Sequence, residues 1–205
     1  MVDLIDIIYR ISMTRRKVER RNVEPQELLR RYALGEKDFS RSYLNDGGTI
    51  EMRGANLRGI NLSYSKIAAD LRGANLSGAD LRGVHMPETD FEGTDFSHAN
   101  LSGAILWQSG FYKANLSFAD LSGADLGWCN LQGANLRGAN LSQVRMDRTV
   151  FSDADLTEAD FSNTVIHAIF TRANLTLANL NGVIFERAWF VETIMPDGSI
   201  RTEGD

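Results

Sequence analysis

Apolar side chains recur along most of this chain at a spacing of five. From Leu71 to Ile166 every fifth residue is apolar, twenty consecutive positions that include Leu76, Phe91, Leu126 and Met146. Two residues before each stands a small side chain, most often alanine (Ala79, Ala119, Ala159), and the residue between them is usually Asn or Asp. An α-helix buries one face at a spacing of 3.6 and a strand at 2. Five satisfies neither, so each unit is predicted to be a short extended piece followed by a turn. Alternation in the extended piece sends the centre residue and the small residue inward together and the Asn or Asp outward.

The pattern slips twice: Ile67 to Leu71 and Ile166 to Phe170 are four apart, which predicts a tightened corner at each. Met52, Leu57 and Leu62 extend the series upstream, and Leu175, Leu180, Phe185 and Phe190 downstream. Ahead of the repeats, Asp3 is placed to cap a helix with Leu4, Ile7, Ile8 and Ile11 on one face. Pro25 then opens a second helix, Gln26 to Leu34, stopped by Gly35. Beyond the repeats, Met195-Pro196-Asp197-Gly198-Ser199 reads as a tight turn joining Val191–Ile194 to Ile200–Thr202 in a hairpin across the last coil.

The recurring motif, A-[N/D]-[L/F]-[S/R]-G, resembles that of the pentapeptide-repeat family over residues 50–190. The resemblance implies an all-β fold, a right-handed quadrilateral β-helix with four repeats per coil and a short N-terminal α-helical cap. The expected division is 1–49 helical cap and lead-in, 50–190 solenoid of about seven coils at ~4.8 Å each, and 191–205 hairpin and tail. With twenty residues per coil, Phe91, Phe111, Leu131 and Phe151 share one column. The segment Leu28 to Phe39 is similar to the lead-in of cyanobacterial members. Some family members resemble a DNA duplex and inhibit gyrase, and related proteins often dimerise through the C-terminal end.

Composition limits the chemistry. The net charge of -5 divides into +2 over residues 1–49 and -7 over residues 50–205, so nucleic acid is not an expected partner of the repeats. The stretch Arg15 to Arg21 is read either as a contact for an anionic surface or as a solvated helix face. The apolar run Leu4 to Ile11 is short, contains Asp6 and is followed rather than preceded by positive charge. It is therefore read as neither leader nor membrane span. A single cysteine, Cys129, fits a reducing compartment, the cytoplasm. It occupies the small inward position that Thr89, Ser109 and Thr149 occupy in neighbouring coils, which predicts a buried, inert thiol. His85, His98 and His167 lack a nucleophile beside them, and Asn and Asp interchange along a column (Asn75, Asp95, Asn115, Asn135, Asp155), as turn-locking residues would. No catalytic residue, cofactor or metal is expected.

One column departs from the motif. Before Met86, Leu106, Leu126, Met146 and Ile166 the outward residues are His85, Ile105, Asp125, Arg145 and Val165, and the corners that follow carry Trp107, Trp128 and Arg148. With Tyr112 on the next side, Trp107, Trp128, Ile105, Arg145 and Arg148 form a candidate partner-binding surface; the other reading has each ring lying flat on a neighbouring turn. Val165, Ile169, Ile184 and Trp189 stand where Asn or Asp is usual, so either the tail hairpin or a second subunit, as in a homodimer, covers them. Three faces read as scaffold and the fourth as functional. The expected role is a non-enzymatic scaffold or regulator acting on an unknown protein partner, with no membrane. The alternative is a DNA mimic regulating a type II topoisomerase, which Arg72, Arg82, Arg137, Arg145 and Arg148 on the column weaken.

Overall fold

The computed structural model describes residues 21–45 and 52–203. Its repeating element is a rung rather than a long strand. Asn75 bridges Asp95, Asp95 bridges Asn115, and the series continues to Asp155; Asp80, His85 and Asp90 begin three further series, all parallel and advancing by twenty. Four bridges per twenty residues make a coil of four sides.

Each side hydrogen-bonds along the column axis. The Leu76 N–H donates to the Asp95 carbonyl (2.7 Å) and the Asp95 N–H to the Ala74 carbonyl (2.9 Å). Each corner is a four-residue turn closed by a bond such as Ala74 N–H to Leu71 C=O, 3.0 Å. Its third residue has positive φ, as a type II turn requires. Gly73 (φ +65°) takes this conformation without steric cost, yet Phe118, Trp128 and Arg148 adopt it as well.

Centre residues and the small residues two before them are buried in one continuous core. The Phe91 and Phe111 rings sit 4.8 Å apart, and Phe151, Phe170 and Phe190 stack at 5.3 and 5.4 Å. This confirms the column read from the sequence and sets its spacing near that of hydrogen-bonded strands.

Among the described residues nine elements are long enough to name: β1 (Arg21–Asn22), α1 (Pro25–Ala33), β2 (Ser42–Asn45), β3 (Lys66–Ala68), β4 (Met146–Val150), β5 (Val165–Ile169), β6 (Ile184–Phe185), β7 (Thr193–Ile194) and β8 (Ile200–Arg201). The sheets run β1-β2-β3 and β4-β5-β6, all parallel, with β7 and β8 antiparallel. The four-residue spacings do not tighten a corner; they abolish it. No residue of 67–70 or 166–169 has positive φ, and β5 runs extended through the place of the corner, with Ile166, Ala168 and Phe170 inward and Val165 and Ile169 exposed. A four-residue step lacks the residue that turns, so alternation simply continues. The coil below keeps its full complement, and Arg148 bulges out between the pairs Asp147–His167 and Thr149–Ala168.

The coil starts earlier than residue 50. Phe39 and Leu44 are buried, and Asp38 bridges Asn61 while β2 pairs β3, so Lys37 to Asn45 already form two sides. Helix α1 opens with Pro25 and ends before Gly35 (φ +98°); it buries Leu28, and the Tyr32 hydroxyl donates to the Arg58 carbonyl (2.8 Å). The helix expected from Asp3 and the basic stretch up to Arg20 lie outside the described residues. At the other end β7 continues the coil, the Leu175 N–H donating to the Ile194 carbonyl. β8 folds back so that the Phe190 N–H donates to Glu203 C=O and the Arg201 guanidinium lies 4.1 Å from the Phe190 ring centroid. The polar tail thereby covers part of the terminal rung. Among the described residues no helix is long and apolar enough to cross a membrane.

Candidate functional site

The four faces differ in their outward residues. One carries Asp38, Asn61, Asp80, Asn100, Asp120, Asn140, Asp160 and Asn179, alternating acid and amide without exception. Each Oδ1 accepts the N–H two residues on, as in Ser142 to Asn140 (3.0 Å), and amides donate to the carboxylate of the coil before, as in Asn140 to Asp120 (3.1 Å) and Asn179 to Asp160 (2.9 Å). The adjoining face, Asn56 to Asn174, follows the same rule less strictly. These side chains lock turns and tie coils together.

The other two faces abandon the rule, and they are neighbours. Face A presents Lys66, His85, Ile105, Asp125, Arg145, Val165 and Ile184; face B presents Asp70, Asp90, Gly110, Asn130, Val150, Ile169 and Trp189. The sequence reading singled out face A as the irregular column and, on face B, noted Ile169 and Trp189. Between them lies the corner at which both short steps fall. Through its middle coils the inward residues are hydroxylic or thiol: Ser109 Oγ donates to Met86 C=O (3.1 Å), Cys129 Sγ to Leu106 C=O (3.0 Å) and Thr149 Oγ1 to Leu126 C=O (2.8 Å). Burial pushes the Cys129 thiol up to about 12, which makes it a poor nucleophile.

Trp107, Trp128 and Arg145 are brought together. With Asp125, Gly127 and Asp147 they line a shallow depression of about 220 Å³. Trp128 is 52% exposed and its ring is covered on one side by Arg148, whose guanidinium carbon lies 4.4 Å from the ring centroid. Arg145 reaches Asp125 at 3.2 Å and remains 75% exposed, and Ile105, half-buried, is one rung from Asp125. Tyr112 does not join them. It lies at the following corner, beneath the Lys113 ammonium (4.9 Å), because five residues place it one side further round the coil.

Other exposed aromatics show what plain packing looks like here. The Tyr64 and Phe118 rings lie where a Cβ on Gly83 or Gly138 of the next coil would come within 2.7 or 2.6 Å, so each covers a glycine corner. Trp128 faces an arginine instead. Its positive φ is shared by many corners and singles out nothing.

The missing corner in β5 leaves a notch directly beyond this depression. Asp147, Arg148, His167, Ala168, Ile169 and Arg187 line a cavity of about 330 Å³. His167 sits between two carboxylates, Nε2 at 3.0 Å from Glu186 and Nδ1 at 3.5 Å from Asp147. Arg187 escaped the sequence reading, and His167 was weighed there only for catalysis, although the four-residue step from Ile166 marked the place. Among the described residues no cluster of His, Cys, Asp or Glu is arranged to hold a metal ion.

The tail does not cover the apolar patch near the C-terminal end. Val165, Ile169, Ile184 and Trp189 are 46%, 39%, 55% and 55% exposed. They point sideways from faces A and B, whereas the hairpin continues the coil axially and packs on Phe190.

Comparison with known proteins agrees with this geometry. Pentapeptide repeats match in eight copies over residues 69–108, 89–133, 129–167 and 164–195, more than half the chain. The chain is 30% identical to HetL, a pentapeptide-repeat protein involved in heterocyst differentiation regulation in the cyanobacterium Nostoc sp. strain PCC 7120, over 88% of this chain and 99% of HetL (TM-score 0.35). It is 35% identical to a pentapeptide-repeat protein of the Arabidopsis thaliana thylakoid lumen over 45% of this chain and 65% of that one (TM-score 0.44). It is 20% identical to QnrB1, a plasmid-mediated fluoroquinolone resistance protein, over 73% and 76% (TM-score 0.44). No curated protein matches it. A repeat matched this many times, on a four-sided coil of five-residue units, places the chain in the pentapeptide-repeat family.

Proposed function

We propose that this protein is a non-enzymatic interaction module whose partner binds along the corner between faces A and B, centred on Trp107 and Trp128. The observation that carries the reading is the exposed Trp128 ring, stacked on Arg148 beside a depression that Trp107 and Arg145 complete. Half-exposed aromatics and arginines on a rigid surface are the residue types that anchor protein contacts. The right-handed sense of the coil and a cytoplasmic location belong to the same proposal, resting on the family resemblance and the single cysteine. Capture of partners from lysate of the source organism tests it: the Trp107→Ala, Trp128→Ala protein is expected to lose a partner that the unaltered protein retains.

The exposed patch of Val165, Ile169, Ile184 and Trp189, left open by the tail, is assigned in this proposal to a second copy of the chain. Sedimentation is expected to show a dimer that Trp189→Asp converts to monomer. Duplex mimicry has less support. The alternating Asp and Asn column never places two carboxylates on successive rungs, and Arg72, Arg82 and Arg137 pair with neighbouring acids, so no continuous anionic rail forms.

A further inference from the structure

The corner between faces A and B is electrically graded along its length. Near its start Glu88, Asp90, Asp70 and Arg72 border a depression in which three of the four charged groups are acidic. Towards its end stand Arg145, Arg148 and Arg187. Most arginines of the column are held by a carboxylate: Arg72 by Asp70, Arg82 by Asp80, Arg137 by Glu158, Arg172 by Asp153, Arg201 by Glu203. Among the described residues no carboxylate lies within ion-pair distance of Arg148 or Arg187, and the Arg148 guanidinium rests on the Trp128 ring.

Both arginines occupy the positive-φ corner position (φ +54° and +52°), two coils apart. At this position side chains lie along the column axis, Tyr64 and Phe118 towards the next coil and Arg172 back to Asp153 of the coil before. The coil between them has no such residue, because β5 runs straight through. Arg148 and Arg187 therefore both line one notch, their backbones about 10 Å apart along the axis at two rung spacings. The floor is Ala168 and exposed Ile169, and the two carboxylates present, Asp147 and Glu186, face the two nitrogens of His167.

We infer that this notch receives an acidic side chain of the partner, presented by an extended segment whose apolar neighbours rest on Ile169 and on the Trp128 and Trp107 rings. The inference rests on the interaction-module reading and gives it a chemistry. Guanidinium groups without a partner favour a carboxylate, which they bind through paired N–H donors. The acidic start of the same corner repels such a segment and sets its position along the axis. Five rungs separate Glu88 from Arg187 after the shortened step, roughly 24 Å, the length of about seven extended residues.

Two fluorescein-labelled octapeptides decide it by fluorescence anisotropy: one with leucines and two central glutamates, the other identical except for lysines in place of the glutamates. The unaltered protein is expected to bind the acidic peptide about tenfold more tightly than the basic one, with the preference weakening as salt rises. In Arg148→Glu, Arg187→Glu the preference is expected to invert, which a misfolded variant would not produce. Equal binding of both peptides, or a preference unchanged in the double variant, overturns the inference. In that event, a lysate partner still lost with Trp107→Ala, Trp128→Ala leaves the module reading standing without its acidic ligand; a partner retained removes the module reading too.

Discussion

Gly123 and Gly138 occupy equivalent corners with the same φ of +64°, yet a Cβ at Gly123 meets nothing within 4 Å while one at Gly138 meets the Phe118 ring at 2.6 Å. Alanine at Gly123 therefore carries only the left-handed strain, about 1 kcal/mol. Alanine at Gly138 is expected to cost more in urea unfolding, and the excess should vanish in a Phe118→Ala background. The acid–amide column offers a second test. Asn140→Asp places three carboxylates on successive rungs and removes the bond to Asp120, a loss of about 1 kcal/mol at neutral pH. Like charges raise the folded-state pKa of the introduced carboxylate above its unfolded value, so the penalty is present at neutral pH and fades as pH falls. Cys129 gives the opposite limb. Its folded pKa of about 12 lies above the ordinary 9.0, so the protonated thiol's contribution is intact below 9 and is lost as pH rises towards 12. Iodoacetamide at pH 8 should modify Cys129 only after unfolding. Buried thiol and turn-locking Asn were both legible from the repeat, because position within the five-residue unit dictates which way each side chain points. The strict alternation from Asp38 to Asn179 was not, since it emerges only once residues 19, 20 or 23 apart are paired.

At the scale of the coil, the informative elements are the two short steps. The sequence located both, at Ile67–Leu71 and Ile166–Phe170, but suggested a tighter corner where the chain instead runs straight. A turn and a strand differ there by one residue, and what decides between them is the rung below, which supplies a parallel partner for Ile166, His167, Ala168 and Ile169 and leaves Arg148 bulged out. Inserting one glycine after His167 is accordingly expected to restore a full corner at little cost. The same insertion after Phe111, on a regular side, should displace the Lys113 and Ala114 hydrogen bonds and lower the melting temperature by several degrees. The restored corner would also fill the notch and abolish binding of the acidic peptide. The lead-in was read as cap rather than coil because Phe39 and Leu44 stand outside the unbroken five-residue series; their burial depends on pairing with Asn61 and Ile67, more than twenty residues away.

Seen as a whole, the molecule is a column with two bonded, repetitive faces and two irregular ones that meet along a single corner. Its architecture was almost entirely legible, since the five-residue spacing gave an extended piece and a turn per unit and the family resemblance implied the four-sided coil. The candidate surface was legible in part. Trp107, Trp128 and Arg145 stand out as breaks in a pattern, whereas Arg187 and the exposure of Val165, Ile169, Ile184 and Trp189 depend on where the axial tail ends and which corner is missing. The four-sided column gives a direct internal control, because Tyr64 and Phe118 are as exposed as Trp128 but lie over glycine corners elsewhere. Quantitative affinity capture from the source lysate, comparing the unaltered protein with Trp107→Ala, Trp128→Ala and with Tyr64→Ala, Phe118→Ala, tests the central claim most directly. The account predicts a partner retained by the unaltered and Tyr64, Phe118 proteins and lost from the tryptophan variant. Equal capture by all three, or loss confined to the Tyr64, Phe118 variant, would contradict it.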